Sequence, residues 1–298
     1  SFGVLILASF VQGLGIGVAG VMARTVMRDL YSGVQLHKAS SAVSVTLIFA
    51  PLVAPLFGAI IASRYGWHAN FVFLSAFGVL VLLSQLFLMR ETNPYIGAEH
   101  TRFSQVFGSY KRVMGNPQFL GFMMTLLVSF AGVAVFEASA GVLFTHVLKF
   151  SAEATSVLFI LPLPAFIVGC YVSARIAHRI SINRMMCLGI VFLSIGSILM
   201  CVTAMLGDVS AHAILLSAAV YLFGVGILFP TATAGALEPF GALAGIAGAV
   251  LGGMQNIGAG LATLLSSALP QTSQLPLGFI LLSLTALVIA TFVRCVGL

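Results

Sequence analysis

Long apolar stretches alternate with short polar ones along the whole chain. A helix that crosses about 30 Å of hydrocarbon needs some 20 apolar residues at 1.5 Å per residue. Runs of that kind recur nine times, roughly over 2–22, 41–62, 70–89, 118–145, 155–174, 185–206, 211–236, 242–268 and 276–296. The pattern predicts an all-α membrane protein, a bundle of about nine spans. Most separating segments are short, but RETNPYIGAEHTRFSQVFGSYKRVMGNP, over 90–117, is not. It divides the chain into a partial N-terminal bundle of three spans (1–89), a linker (90–117) and a six-helix bundle (118–298).

Composition supports that reading. Hydrophobic residues make up 60% of the 298 positions and charged ones 7%, against about 25% charged in soluble domains. A larger core does not account for such a gap. The net charge of +6 reports topology, because the cations fall between the apolar runs. Arg24, Arg28, Lys38, Arg90, Arg102, Lys111, Arg112, Arg175, Arg179, Arg184 and Arg294 all fall on one side of an alternating nine-span map, with Arg64 and Lys149 on the other. The positive side is expected to be cytoplasmic, which places the linker and the C-terminus inside. The opening SFGVLILASF reads as the middle of a span rather than a signal peptide. The map puts the start of the first span outside, so an odd number of further spans is expected upstream if the N-terminus is cytoplasmic.

Several functions find no support. No basic tract alternates with aromatics, so nucleic acid is not expected. Cys170, Cys187, Cys201 and Cys295 have no Cys-x-x-Cys spacing and read as small buried hydrophobes. His68, His146, His178 and His212 fall near predicted loops without partners at metal-ligand spacing. No P-loop, Gly-x-Ser-x-Gly or His-Glu-x-x-His motif is present. Neither a metal nor a cofactor is expected, and any pumping must run on an ion gradient.

The candidate chemistry begins with Glu137, the only acid between Phe119 and His146. A charge at mid-membrane costs about 2.5–3.5 kcal/mol on insertion scales, and such a group marks function by default. A carboxyl there can hold a proton or attract a cation, and Ala134, Ala138, Ala140 and Gly141 leave room around it. A structural hydrogen bond between helices is the competing reading. In FILPLPAF, Pro162 and Pro164 each remove a donor and must kink or open the helix. Phe159 and Leu163 stand one turn apart and would share a face, lining a greasy cavity or simply packing. Gln255 and Asn256 in GGMQNIGAGLA could bind a polar substrate group or bond between helices. Gln12, Thr231 and Thr233 carry the same two readings, and Pro230 predicts a further kink. Arg28, Asp29 and Glu238 sit at helix ends on the positive side, as gate charges or as solvated termini.

There is also a loose internal echo. QGLGIGVAGVMARTVMRDL in the first span and YLFGVGILFPTATAGALEPF in the seventh share an early Gly-x-Gly and a late acid. Six spans separate them, the offset of two six-helix halves.

Together, VMARTVMRDLY, APLVAPLFGA, FEASAGVL, FILPLPA, LFPTATAGALEPF and GGMQNIGAGL resemble the multidrug resistance protein D type of transporter. That type belongs to the Bcr/CflA drug-resistance group of the major facilitator superfamily, and the resemblance covers nearly the whole chain. It implies twelve spans in two halves, of which these nine are similar to the fourth to twelfth. The group's antiporter motif, Gly-Pro-x-x-Gly-Gly, is matched by Ala54-Pro55-Leu56-Phe57-Gly58-Ala59, with Pro51 one turn earlier; alanine still permits close helix approach. Its Arg-x-x-Gln-Gly pattern is matched at Gln12-Gly13, with Ser9 where arginine is common. The resemblance implies proton-coupled efflux of hydrophobic, often cationic, small molecules by a monomer in a bacterial inner membrane, without a cofactor. Export of a specific amino acid or sugar on the same fold is the alternative, as is a transport-incompetent fragment. An intramembrane enzyme would need a catalytic pair, and one lone acid does not supply it.

Overall fold

The computed structural model describes residues 2–92, 103–207, 209–241, 243–270 and 272–295. Eleven α-helices follow one another: α1 (Phe2–Leu30), α2 (Gly33–Tyr65), α3 (His68–Leu88), α4 (Phe103–Met114), α5 (Pro117–Val142), α6 (Ala152–Ile160), α7 (Leu163–Ile176), α8 (Ile182–Met205), α9 (Ala211–Leu237), α10 (Ala244–Ser267) and α11 (Leu275–Cys295). A π-helical turn, Leu143–Val147, extends α5. No strand occurs among the described residues. Seven segments of the described chain are long and apolar enough to cross a membrane. α6 with α7 together make one of these seven; α2 and α10 cover the other two expected runs but are not among the seven.

The helices outlast the apolar runs. α1 continues to Leu30 and α2 begins at Gly33, leaving only Tyr31 and Ser32 between them. Positions 21–32 contain neither Gly nor Pro, and their Ala, Met, Arg and Leu favour helix, so leaving the hydrocarbon does not end it. The turn is made by Gly33 at φ 54°, a left-handed conformation that glycine takes without a Cβ clash. The linker also holds more order than its composition predicts. α4 lies inside it, with Phe103, Val106, Phe107, Tyr110 and Val113 at helical spacing and Val113 fully buried.

α9 is the central element. Nearly every residue from Tyr221 to Leu237 is buried, as expected of a helix that is apolar on all sides. α7, α8 and α5 pack around it; α10 and α11 flank α5, and α11 also packs on α8. α7 and α9 approach closely because both are glycine at the crossing. An ideal Cβ on Gly169 would overlap the Phe223 carbonyl, and one on Gly226 would overlap the Phe166 carbonyl. The first three helices join this group along one edge: α1 against α10, and α2 against α9 and α7. α3 packs on α2 and buries no residue.

Candidate functional site

α5 starts at Pro117, capped by Asn116, whose Oδ1 accepts from the Phe119 amide at 3.0 Å. This end is rich in arginine: Arg28 ends α1, Arg175 closes α7 and Arg184 opens α8. Glu137 lies about 7 Å beyond the midpoint of the apolar helix, away from that end, at 1.5 Å per residue. Its face of α5 changes character along its length. Met123, four turns earlier, is buried at 3% exposure. Phe130 is half-buried, and Glu137 and Ala138 are exposed. One helix face is thus covered near the arginines and open beyond. Among the described residues no side chain hydrogen-bonds or ion-pairs with Glu137, so no fixed cation holds it ionised.

The surroundings are apolar and irregular. One turn past Glu137, the Phe159 ring packs over Gly141, 3.3 Å from where a Cβ would sit. Phe159 also meets Phe144 edge to face at 6.1 Å. The π turn begins at Leu143, with the Leu148 amide donating to the Leu143 carbonyl at 2.9 Å. On the neighbouring span the helix breaks at Leu161-Pro162 between α6 and α7. Two backbone irregularities therefore flank the same ring. Non-helical backbone at membrane depth is tolerated only against protein or a wet cavity.

The remaining candidates separate. Leu163, beyond the break, is buried in the core at 7% exposure, and Phe159 is half-buried and packs against the same core. Pro162 is buried and Pro164 exposed. Gln255 is buried at 6%, whereas Asn256, about 100° further round α10, is exposed and donates to the Gly252 carbonyl at 2.8 Å. Gln12 is exposed on the open stretch of α1, and Pro230 is buried within α9. Pro51 and Pro55 lie within α2, but their side chains fall outside the described residues; the Gly58 carbonyl accepts from Asn70 Nδ2 at 3.3 Å.

At the arginine-rich end a seam closes. The Arg28 guanidinium reaches the α9–α10 turn at Gly241, and Thr25 reaches Gly245. Asp29 accepts from Thr92 at 3.5 Å, and Glu238 is exposed at the end of α9. Further along α1, a Cβ at Gly13, Gly15, Gly17 or Gly20 would meet nothing within 4 Å. α1 and α10 thus touch near the arginines and are uncovered beyond. The sequence reading passes over the polar centre of this seam. His37 of α2, 6% exposed, has Nε2 3.1 Å from Ser173 Oγ of α7. Ser173 Oγ lies 3.2 Å from Thr231 Oγ1 of α9, which donates to the Ile227 carbonyl at 2.6 Å. The available signal is the polar spacing His37, Ser41, Ser44, one face of a helix entering an apolar run; all three are buried.

Comparison with known proteins agrees with this architecture. Residues 1–263 match the Major Facilitator Superfamily. The chain is 41% identical, over 97% of its length and 72% of the relative's, to "Multidrug resistance protein D" of Escherichia coli (strain K12). It is 24% identical to "Bicyclomycin resistance protein homolog" of Haemophilus influenzae, over 87% of the chain and 65% of that protein. Among solved structures, the proton:xylose symporter XylE superposes with a TM-score of 0.74 at 15% identity, covering 96% of this chain and 69% of that one, which shows a shared fold. The chain belongs to the Major Facilitator Superfamily of transporters and, within it, to the same family as the E. coli multidrug resistance protein D.

Proposed function

We propose that the protein is a multidrug exporter that exchanges hydrophobic, often cationic, small molecules for protons by alternating access. One observation carries the reading. The sole acid of its apolar run stands on a helix face that is open around it and shut at the arginine-rich end, with no basic neighbour among the described residues. A carboxyl so placed serves either a proton or a cationic cargo, and occupancy by one excludes the other. That exclusion makes the exchange obligatory. Phe159 and the aliphatic walls supply non-directional contacts, which suit a broad range of greasy substrates. The name of the 41% identical relative supports drug export over export of one metabolite.

In this proposal the arginine-rich end is cytoplasmic, the C-terminus lies inside a bacterial inner membrane, and the working unit is a monomer. Residues 1–89 belong to one bundle, 118–298 form the other, and 90–117 join them at the cytoplasmic face. The path for proton and substrate runs past Glu137 and Phe159, with Gln12 and Asn256 as polar contacts on the uncovered stretches. Arg28, Asp29 and Glu238 close the inner gate. The test is dye efflux from cells and uptake into inside-out vesicles under an imposed pH gradient. Glu137→Gln, which keeps shape and removes titration, is expected to lower gradient-driven transport at least tenfold. Transport at the parent rate would refute the proposal.

A further inference from the structure

We propose that His37 is a positioning residue of the transport cycle: its imidazole pins α2 into the crevice between α7 and α9, and the arginine-rich seam parts when that contact lets go. The cycle rests on the transport reading above; the pin itself rests on geometry.

The protons on the cluster can be ordered. Three contacts run in series, from His37 Nε2 to Ser173 Oγ at 3.1 Å, from there to Thr231 Oγ1 at 3.2 Å, and on to the Ile227 carbonyl at 2.6 Å. A hydroxyl carries one proton and two lone pairs. If Thr231 donates to the carbonyl, Ser173 donates to Thr231 and His37 Nε2–H donates to Ser173, every contact holds a proton. The reverse order leaves the shortest contact, Thr231 to Ile227, without one. We assign His37 Nε2–H as the donor that enters from α2; Ser173 Oγ can then donate to Thr231 or, at 3.4 Å, to the Ile227 carbonyl.

That arrangement suits docking and release. When α2 withdraws, Ser173 still donates to Thr231 and Thr231 to the carbonyl. One bond is lost, and the imidazole N–H leaves with α2 toward water, so no buried donor is stranded. Packing beside the pin is loose. A cavity of about 180 Å³ adjoins it, lined by Leu36 and His37 of α2, Ala177, Ile180 and Met185 around α7 and α8, and Ala234 and Glu238 of α9. A seam with that much unfilled space gives up few dispersion contacts when it parts. The Gly169–Gly226 crossing, one turn away, has no such slack. Among the described residues, Glu238 is the one other ionisable group lining the cavity.

The experiment places a cysteine at Ala234, a buried wall of the cavity, and follows its modification by N-ethylmaleimide in membranes, resolved by peptide mass spectrometry. His37→Ala is expected to raise the rate about fivefold, the shift that one net hydrogen bond makes, and Ser173→Ala at least as much, since it also loses the contact to Thr231. The double variant should be no more reactive than Ser173→Ala, because that variant already removes the His37 contact along with the one to Thr231. His37→Gln, whose side-chain amide can donate from a similar reach, should restore most of the protection. The proposal is overturned if His37→Ala leaves the rate unchanged, if the two effects add, or if His37→Gln is as reactive as His37→Ala. Should His37→Ala fail to fold, Ser173→Ala on the opposite helix reports the same bond. The readout needs neither substrate nor gradient, so unaltered efflux in Glu137→Gln would refute the transport reading while leaving the pin to be judged by labelling.

Discussion

Replacing Gly169 by alanine should loosen the bundle at its tightest point. The new methyl would overlap the Phe223 carbonyl and stand 3.1 Å from the Gly226 Cα. Both obstacles are backbone, so no side chain can rotate away. Ordinary contact distances of about 3.5–4 Å require α7 and α9 to separate by roughly 1 Å. Ser173 lies one turn along α7 from Gly169, so its 3.2 Å contact with Thr231 would stretch past hydrogen-bonding range. Overpacking of this kind costs about 1–3 kcal/mol, which is about five- to 150-fold in the local opening equilibrium at 1.4 kcal/mol per decade. Cys170, at 0% exposure beside the crossing, is the native reporter; its maleimide modification in detergent should accelerate by that factor. Gly226→Ala tests the same crossing from the other helix, where the methyl would overlap the Phe166 carbonyl. Gly253→Ala on α10 is the control, since nothing lies within 4 Å of its new methyl and alanine is the better helix former by up to ~1 kcal/mol. The reasoning fails if Gly169→Ala and Gly253→Ala protect Cys170 equally.

Two further outcomes are expected. His37 precedes the apolar stretch of α2, and burial lowers its pKa from the ordinary 6.5, with a hydrogen bond to the Ser173 backbone opposing. Opening the seam therefore takes up a proton; closure is fully favoured above about pH 6.5 and weakens as pH falls below it. Once corrected for thiolate reactivity, labelling of Ala234→Cys should rise between pH 7.5 and 5.5 in the parent and stay level in His37→Ala, with Glu238→Gln separating any contribution of the facing carboxylate. Ser139 and Ser266, 2.8 Å apart, tie α5 to α10 near the Glu137 turn. Ser139→Ala and Ser266→Ala should each lower the thermal midpoint with a coupling of about 0.6 kcal/mol in a double-mutant cycle; strictly additive losses would show the bond contributes nothing.

The architecture is legible in the sequence wherever the solvent dictates it. Bilayer thickness sets the length of an apolar run, and the described part of each of the nine runs is largely helical, with a break at Leu161-Pro162 in the fifth. Their ends are less legible, because hydrocarbon limits the run while backbone propensity limits the helix; α1 carries on past its apolar run to Leu30, and α2 starts at Gly33, ahead of its own. α4 escapes a reading by composition because its signal is periodicity inside a polar segment. Glu137 stands out alone, since a solitary acid in an apolar run needs no partner to be noticed. Gln255 and Asn256 read as a pair along the chain, yet adjacent residues on a helix point about 100° apart, and the structure sends one inward and the other outward.

The His37 cluster could not be read the same way, and the reason bears on how the seam moves. His37 and Ser173 are 136 positions apart, and neither belongs to a motif; their meaning arises only where three helices converge. The rigid part of that convergence is itself encoded in glycine. Because Gly169 and Gly226 bring two backbones into contact, α7 and α9 have no room to shift relative to each other near Ser173 and Thr231. The acceptor for the imidazole is thus held fixed by the tightest crossing in the bundle, while the donor side abuts a cavity. Motion that breaks the contact must then come from α2, with α1 following because only Tyr31 and Ser32 join the two helices. α1 is also the helix that meets α10 only near the arginines. Withdrawal of one imidazole would therefore free both helices that close this end, α2 from α7 and α9 and α1 from α10.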